Sequence, residues 1–154
     1  MTGLNSPAVI QSAIDHLLAT GLFESVQGHE AVSSPGNGLT ADVWFDAIKP
    51  VPAQSGLAES SAVLTLWARM YLNADALPID NIEQTMASAT DTMMIAYSGG
   101  FTFGGLVEAV DLLGGLTGIV LSAQGGYVDI GGVRYRCVTI TIPCLIADVW
   151  PQAA

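Results

Sequence analysis

The side chains able to do chemistry are few and scattered. Asp42 and Asp46 stand in ADVWFDAIK, at a spacing that puts both on one face of a strand. Two carboxylates so placed can share a proton in acid–base catalysis or hold a calcium ion. No EF-hand spacing surrounds them and no third acid stands nearby, so a solvated strand face is expected instead. Asp129, in a turn, and Asp148, at the end of a long strand, make the same weak claim. His16 falls on the polar side of an N-terminal helix and His29 beside a turn, neither with a Cys or His at ligand spacing; both read as surface histidines. Cys137 and Cys144 belong to one strand, and at about 3.3 Å per residue they lie roughly 23 Å apart, too far for a disulfide. Reduced thiols of a protein made in the cytosol are expected. No GxxxxGK[ST], GxGxxG or GxSxG motif occurs, so phosphate-loop, dinucleotide and hydrolase-elbow chemistry have no support. No catalytic residue, metal site or cofactor is expected.

What remains is contact chemistry. Aromatic and arginine side chains carry interface energy disproportionately, and Trp44, Trp67, Arg69, Tyr71, Arg134, Arg136 and Trp150 are the candidates for subunit or partner contacts. Lys49 and the three arginines are the only permanent cations, against 14 acidic residues and a net charge of -10. Each arginine is therefore expected to pair with a carboxylate of a neighbouring subunit. Following a phosphate backbone needs clustered Lys and Arg, so specific nucleic-acid binding and anionic-membrane binding are not expected. The acidity suits solubility, and it would also suit a wall past which DNA slides without sticking.

The elements that must position these residues are mostly strands. With 154 residues, 51% of them hydrophobic, the chain is expected to form one domain, residues 1–154. Residues 126–151 read as a turn at Gly131-Gly132 feeding one long strand. Along it Arg134, Arg136, Val138, Ile140 and Ile142 point one way, and Tyr135, Cys137, Thr139 and Thr141 the other. Pro143 marks an edge, a bulge or the end of pairing. Residues 62–73 form a second long strand, with Leu64, Leu66, Ala68, Met70 and Leu72 on one face and Val63, Thr65, Trp67, Arg69 and Tyr71 on the other. Residues 39–48 alternate as a strand with one wet face, carrying Asp42, Trp44 and Asp46, and residues 22–30 suggest a shorter one.

Two helices complete the set. The first is N-capped by Ser6, begins with Pro7 and is striped by Ile10, Ile14, Leu17 and Leu18, with Gly21 as its stop. The second opens on a capping box of Asp80 and Glu83, is striped by Ile82, Met86, Ala89, Met93 and Tyr97, and ends at Gly99-Gly100. Residues 33–38 form a turn, and residues 49–61 an extended loop, mobile or held by a neighbour. Paired glycines between residues 101 and 132 suggest a meander, with short β runs at 106–112 and 118–123. The order points to an α+β fold: a mainly antiparallel mixed sheet with two helices packed on one face. No basic residue precedes Lys49 and no apolar run lies near the start, so no secretory signal is expected. The most apolar segment, residues 105–121, is interrupted by Glu108, Asp111 and Gly114-Gly115 and is not expected to span a membrane.

VDLLG at residues 110–114, LSAQGGYVDIGGVRYR at 121–136 and TITIPCLIADVW at 139–150 resemble the tail-terminator proteins of long-tailed (siphovirus-type) bacteriophages, particularly those of actinobacterial hosts. The opening helix running into LFESVQGHE is similar to that family's start, and residues 31–61 add little. The resemblance implies a mixed sheet flanked by helices and a homo-oligomeric ring of six subunits that caps the tail tube at its head-proximal end. Such a ring ends tube polymerisation, offers a face to the head-completion (stopper) protein, and lets genomic DNA pass through its lumen. It implies a structural virion protein made in host cytoplasm, with no reaction and no cofactor. The competing expectations are another component of the same machine, a stopper or tail-tube subunit, and a small acidic enzyme whose site uses dispersed residues.

Overall fold

The computed structural model describes residues 3–32, 35–76 and 78–152. Its centre is a pair of long antiparallel strands, β3 (Glu59–Asn73) and β6 (Val133–Pro151), paired from Asn73↔Tyr135 to Glu59↔Pro151. They are central because both faces are apolar or half-apolar, and only an inner strand can bury both. Outside β3 lies β2 (Thr40–Pro50), then β1 (Val26–Gln27), which runs parallel to β2. On the far side of β6 lie β5 (Ser122–Ile130) and the short β4 (Ala109–Val110). The sheet is mixed and mainly antiparallel.

The helices α1 (Ser6–Ala19) and α2 (Ile79–Ser98) cover one face of this sheet. Leu64, Leu66, Ala68, Met70 and Leu72 of β3 and Val138, Ile140, Ile142 and Cys144 of β6 meet Val9, Ala13 and Leu17 of α1 and Ile82, Met86, Ala89, Met93 and Tyr97 of α2 in one core. The protein is thus an α+β fold with both helices on one side. The α2 stripe is the one its 3.6-residue periodicity specifies. In α1 the buried line is Val9, Ala13 and Leu17, with Ile10 packed at its flank, while Leu18 is exposed. The buried line follows a strict four-residue spacing, which leaves Leu18, one position past Leu17, on the outer side.

Local signals at helix starts were misleading. The N-cap of α1 is Asn5 in the left-handed region (φ 53) rather than Ser6, and that of α2 is Pro78 rather than Asp80; neither makes a side-chain capping bond. Glu83 is instead drawn to Arg136. Gly21 (φ 72) and Gly100 (φ 77) do follow their helices with the positive φ that a chain reversal needs.

Three strand expectations change. The strand expected at 22–30 shrinks to β1, a pair of residues set against Ala41 and Asp42. In β2 the register jumps between Phe45 and Ala47, so Asp46 is a bulge residue and the simple alternation that put it on a face with Asp42 is lost. Asp42 itself is buried rather than wet. The loop expected at 49–61 is mostly hairpin: β2 runs to Pro50, a 3-10 turn spans Pro52–Gln54, and β3 begins at Glu59. Within it Ser55 Oγ donates to Val51 O, Ser61 Oγ to Gln54 O, and Gln152 N to Ala58 O. Unpaired backbone groups that would have left it loose are satisfied in the chain itself.

The stretch before β5 is mostly turns, with β4 and one bridge, Leu113↔Val120, in place of a full meander. Of the turn expected at 33–38, Ser33 and Ser34 lie outside the described residues; Asn37 and Gly38 form a bend. Pro143 sits where β5 pairing has ended at Thr141 and β4 pairing begins at Cys144. Its carbonyl accepts from Asp111 N on that same side. The missing N–H therefore falls at the gap between two partners, and the ladder to β3 loses nothing.

Candidate functional site: the helix-free face of the sheet

Residues of β3 and β6 that point away from the helices are covered at two places. At one end Val51, Val63 and Leu145 pack with Ile119; at the other Tyr71, Tyr135 and Cys137 pack with Ala31, Val128, Ile130 and Val133. Between them the face stays open as a trough of about 360 Å³, lined among others by Trp67, Arg69, Ser122, Gln124, Thr139 and Thr141. Trp44 stands beside Trp67 across the β2–β3 pair, edge to face at 6.1 Å. The Arg69 guanidinium lies 5.3 Å from the Trp44 ring centroid, its Nε donates to Thr139 Oγ1 at 2.8 Å, and one terminal nitrogen is 3.8 Å from Glu30 Oε2. The cation is stacked and half-buried, and its strongest hydrogen bond is to a neutral hydroxyl.

Beside Arg69 the chain buries a polar cluster that strand alternation does not anticipate. Asp42 is 3% exposed, and its Oδ2, the Thr40 hydroxyl and the Tyr71 hydroxyl make no well-formed hydrogen bond. Burial pushes the Asp42 carboxyl up to about 6, against the opposing pull of Tyr71, His29, Arg69 and the Ala31 backbone. Burial, and next the charge of Asp42, raise Tyr71. A second cavity, of about 410 Å³, opens next to this cluster between Glu30–Val32 and β5, sharing Arg69 with the first.

Arg134 and Arg136 are on the other face, so the candidates form two groups. Arg136 Nε donates to Glu83 Oε1 at 2.7 Å, and its Nη1 to Gly126 O at 2.9 Å. Arg134 and Arg136 flank the Tyr127 ring at 4.4 and 5.1 Å from its centroid. The expectation that each arginine seeks a carboxylate on a neighbouring subunit is corrected for Arg136, whose partner is on α2 of its own chain, and Arg69 lies within ion-pair range of its own Glu30. Trp150 lies apart near the end of β6, opposite Ser60.

His16 is half-buried rather than a freely exposed surface residue. Its ring packs 4.4 Å from Phe101 and 5.4 Å from Tyr97, its Nδ1 is buried without a partner, and burial lowers its pKa. His29 is exposed, with Nδ1 2.9 Å from Glu30 O. Both thiols are free and buried; burial raises Cys137 and pushes Cys144 up to about 12. A thiol so raised is a poor nucleophile. Among the described residues no group of three or more His, Cys, Asp or Glu converges as a metal site would need, and no helix is long and apolar enough to cross a membrane.

The aromatic and cationic walls of the trough are legible from residue type, whereas its hydroxyl and amide lining, Ser122, Gln124, Thr139 and Thr141, is not. Their outward positions follow from the register of β5 on β6, which alternation alone could have placed once that hairpin was accepted. The arrangement can stack and hydrogen-bond; it holds no pairing of nucleophile and base. No protein-family model matches the chain, and no curated protein matches it.

Proposed function

We propose that this chain is a subunit of a tail-terminator ring of a long-tailed bacteriophage. In that role it sits in the virion between tail tube and head, having been made in host cytoplasm. Six copies close a ring on the last tube disc, stop its growth, and present a face to the head-completion protein while DNA passes through the lumen. The observation that carries the reading is the likeness of residues 110–150, centred on the β5–β6 hairpin and its Gly131-Gly132 turn. Physical support comes from the trough: Trp44, Trp67 and Arg69 are left half-covered in the middle of a sheet face, which is where a neighbour gains most by excluding water. A surface with a net charge of -10 also suits a passage for DNA that must not bind it.

Negative-stain imaging of the purified protein, alone and mixed with tail tubes, tests this. Single six-membered rings that cap tube ends and halt elongation are expected. Long self-polymerised cylinders would point to a tube subunit instead. A compact single molecule at high concentration, absent from assembled virions, would end the proposal.

A further inference from the structure

The two outer edges of the sheet share a pattern. On one edge β1 covers only Ala41 and Asp42, so β2 from Val43 to Pro50 has no strand outside it among the described residues. That stretch exposes Phe45 (51%) and Ile48 (38%) and carries Lys49. On the opposite edge, between β4 and β5, residues 112–120 expose Leu112, Leu113 (81%), Leu116 and Val120. This loop is a built feature: the buried Asp111 carboxylate accepts from Gly114 N, Leu116 N, Thr117 N and Thr117 Oγ1. It holds apolar side chains in water on a fixed backbone.

The two edges are also level. Following the register across the sheet, Ile48 pairs with Leu64, Leu64 with Cys144, and Cys144 with Val110. One step on, Lys49 pairs with Val63, Val63 with Leu145, and Leu145 with Ala109, next to exposed Glu108. Rotation about an axis parallel to the strands keeps each residue at its height. It would carry the Phe45–Lys49 edge of one copy onto the 108–120 edge of the next, apolar against apolar and Lys49 beside Glu108. Lys49 is the chain's only lysine and, among the described residues, has no ion-pair partner, while the arginines are engaged within the chain.

We infer that copies of this chain join head to tail through these edges, Phe45, Ile48 and Lys49 of one subunit seating on Leu113, Leu116, Val120 and Glu108 of the next. The inference rests on the ring reading above and names the contact that closes it. Two different patches on opposite sides of one subunit make a heterologous contact, which generates a closed ring when the rotation closes. The bulge at Asp46 and the proline at 50 keep β2 from templating a long added strand. The joint is therefore made by side chains, and it stops at one partner per edge.

Mass photometry and sedimentation across a concentration series decide the matter, with circular dichroism to confirm folding. Leu113→Asp, at a side chain that is 81% exposed, is expected to raise the concentration needed for assembly by at least about tenfold. Lys49→Glu and Glu108→Lys should each weaken assembly several-fold, and the double reversal should recover most of the loss. If the unaltered protein forms rings and all three single variants assemble equally well, the edge contact is wrong and the ring reading stands. Should the double reversal be no better than either single one, the facing of Lys49 and Glu108 is wrong. An unaltered protein that stays a single molecule throughout overturns both the contact and the ring.

Discussion

Arg136 Nε donates a 2.7 Å hydrogen bond to Glu83 Oε1, joining β6 to the beginning of α2. The bond is part of a larger arrangement, because the same guanidinium also donates to Gly126 O on β5 and lies against the Tyr127 ring. One side chain thus fastens three elements on the helix side of the sheet. Glu83 is about half exposed, so the ion pair itself is screened; Glu83→Gln is expected to cost about 1 kcal/mol. Arg136→Ala loses the carbonyl bond and the stacking as well and should cost roughly 2 to 3 kcal/mol. Urea unfolding of both variants checks the order, and equal losses would mean that Glu83 accounts for all of it.

Gly125 reports on the same fastening. A Cβ there would come within 2.8 Å of both terminal nitrogens of Arg136, closer than real Cβ contacts go. The far end of an arginine can normally move aside, but here Glu83 and Gly126 hold it. Gly125→Ala should therefore destabilise by roughly 1 to 2 kcal/mol in the unaltered chain and by much less when Arg136 is already Ala, a coupling that a double-mutant cycle measures. Additive losses would show that the alanine is resisted by something other than Arg136.

These contacts mark where the sequence was legible and where it was not. β3, β6 and the α2 stripe could be read because each is long enough for its period to repeat several times, so one misplaced residue does not change the answer. Glu83 looked like part of a capping box because that signal uses only local spacing, and a partner on another element won the carboxylate. Asp42 looked wet because alternation assigns a face without saying what lies over it; the Glu30–Val32 segment lies over that face, and Ala31 packs on Tyr71 and Tyr135. His16 differs from its expected surface place for the same reason, its cover being Phe101 and Tyr97 from beyond the helix. Trp44, Trp67 and Arg69 could be named as contact residues from their types, but that Arg134 and Arg136 lie on the opposite face from them follows only from register, which joins β3 to β6.

Asp42 gives a pH test. Its folded pKa is raised from 3.8 to about 6, so between those values the folded chain binds more protons than the unfolded one and stability falls as pH rises. The protonated carboxyl's contribution is fully present below pH 3.8 and is lost as pH passes through about 6. Asp42→Asn removes the ionisation and should stabilise the protein at neutral pH by roughly 2 to 3 kcal/mol, with little effect under acid. Unfolding measured across this range checks the sign. A variant whose stability profile runs parallel to that of the unaltered chain would show that Asp42 ionises in the fold without cost.

Asp111 should behave in the opposite sense, and its loop shows why. Burial alone would raise its pKa, but hydrogen bonds from the Thr117 backbone and hydroxyl, Leu116 and Gly114 outweigh that and hold it below 3.8. The stability it supplies is present above the unfolded value of 3.8 and is lost as pH falls through the lower folded value. Oδ2 alone accepts from Leu116 N at 3.1 Å, Thr117 N at 2.6 Å and Thr117 Oγ1 at 2.7 Å. Asparagine at this position can keep its carbonyl oxygen on the three donors and turn its NH₂ toward Gly114 N alone, so Asp111→Asn should lose one bond and the charge and cost about 1 to 2 kcal/mol, against about 3 kcal/mol for Asp111→Ala. Thr117→Val keeps the backbone bond to Asp111 but loses the hydroxyl, which also accepts from Ile119 N, and about 1 to 2 kcal/mol is expected. Hydrogen exchange should accelerate at Gly114, Leu116 and Thr117 in Asp111→Ala at neutral pH, chiefly at Gly114 in Asp111→Asn, and in the unaltered protein only under strong acid. Protection that survives Asp111→Ala would mean that the Leu113↔Val120 bridge, and not the carboxylate, fixes the exposed leucines in place.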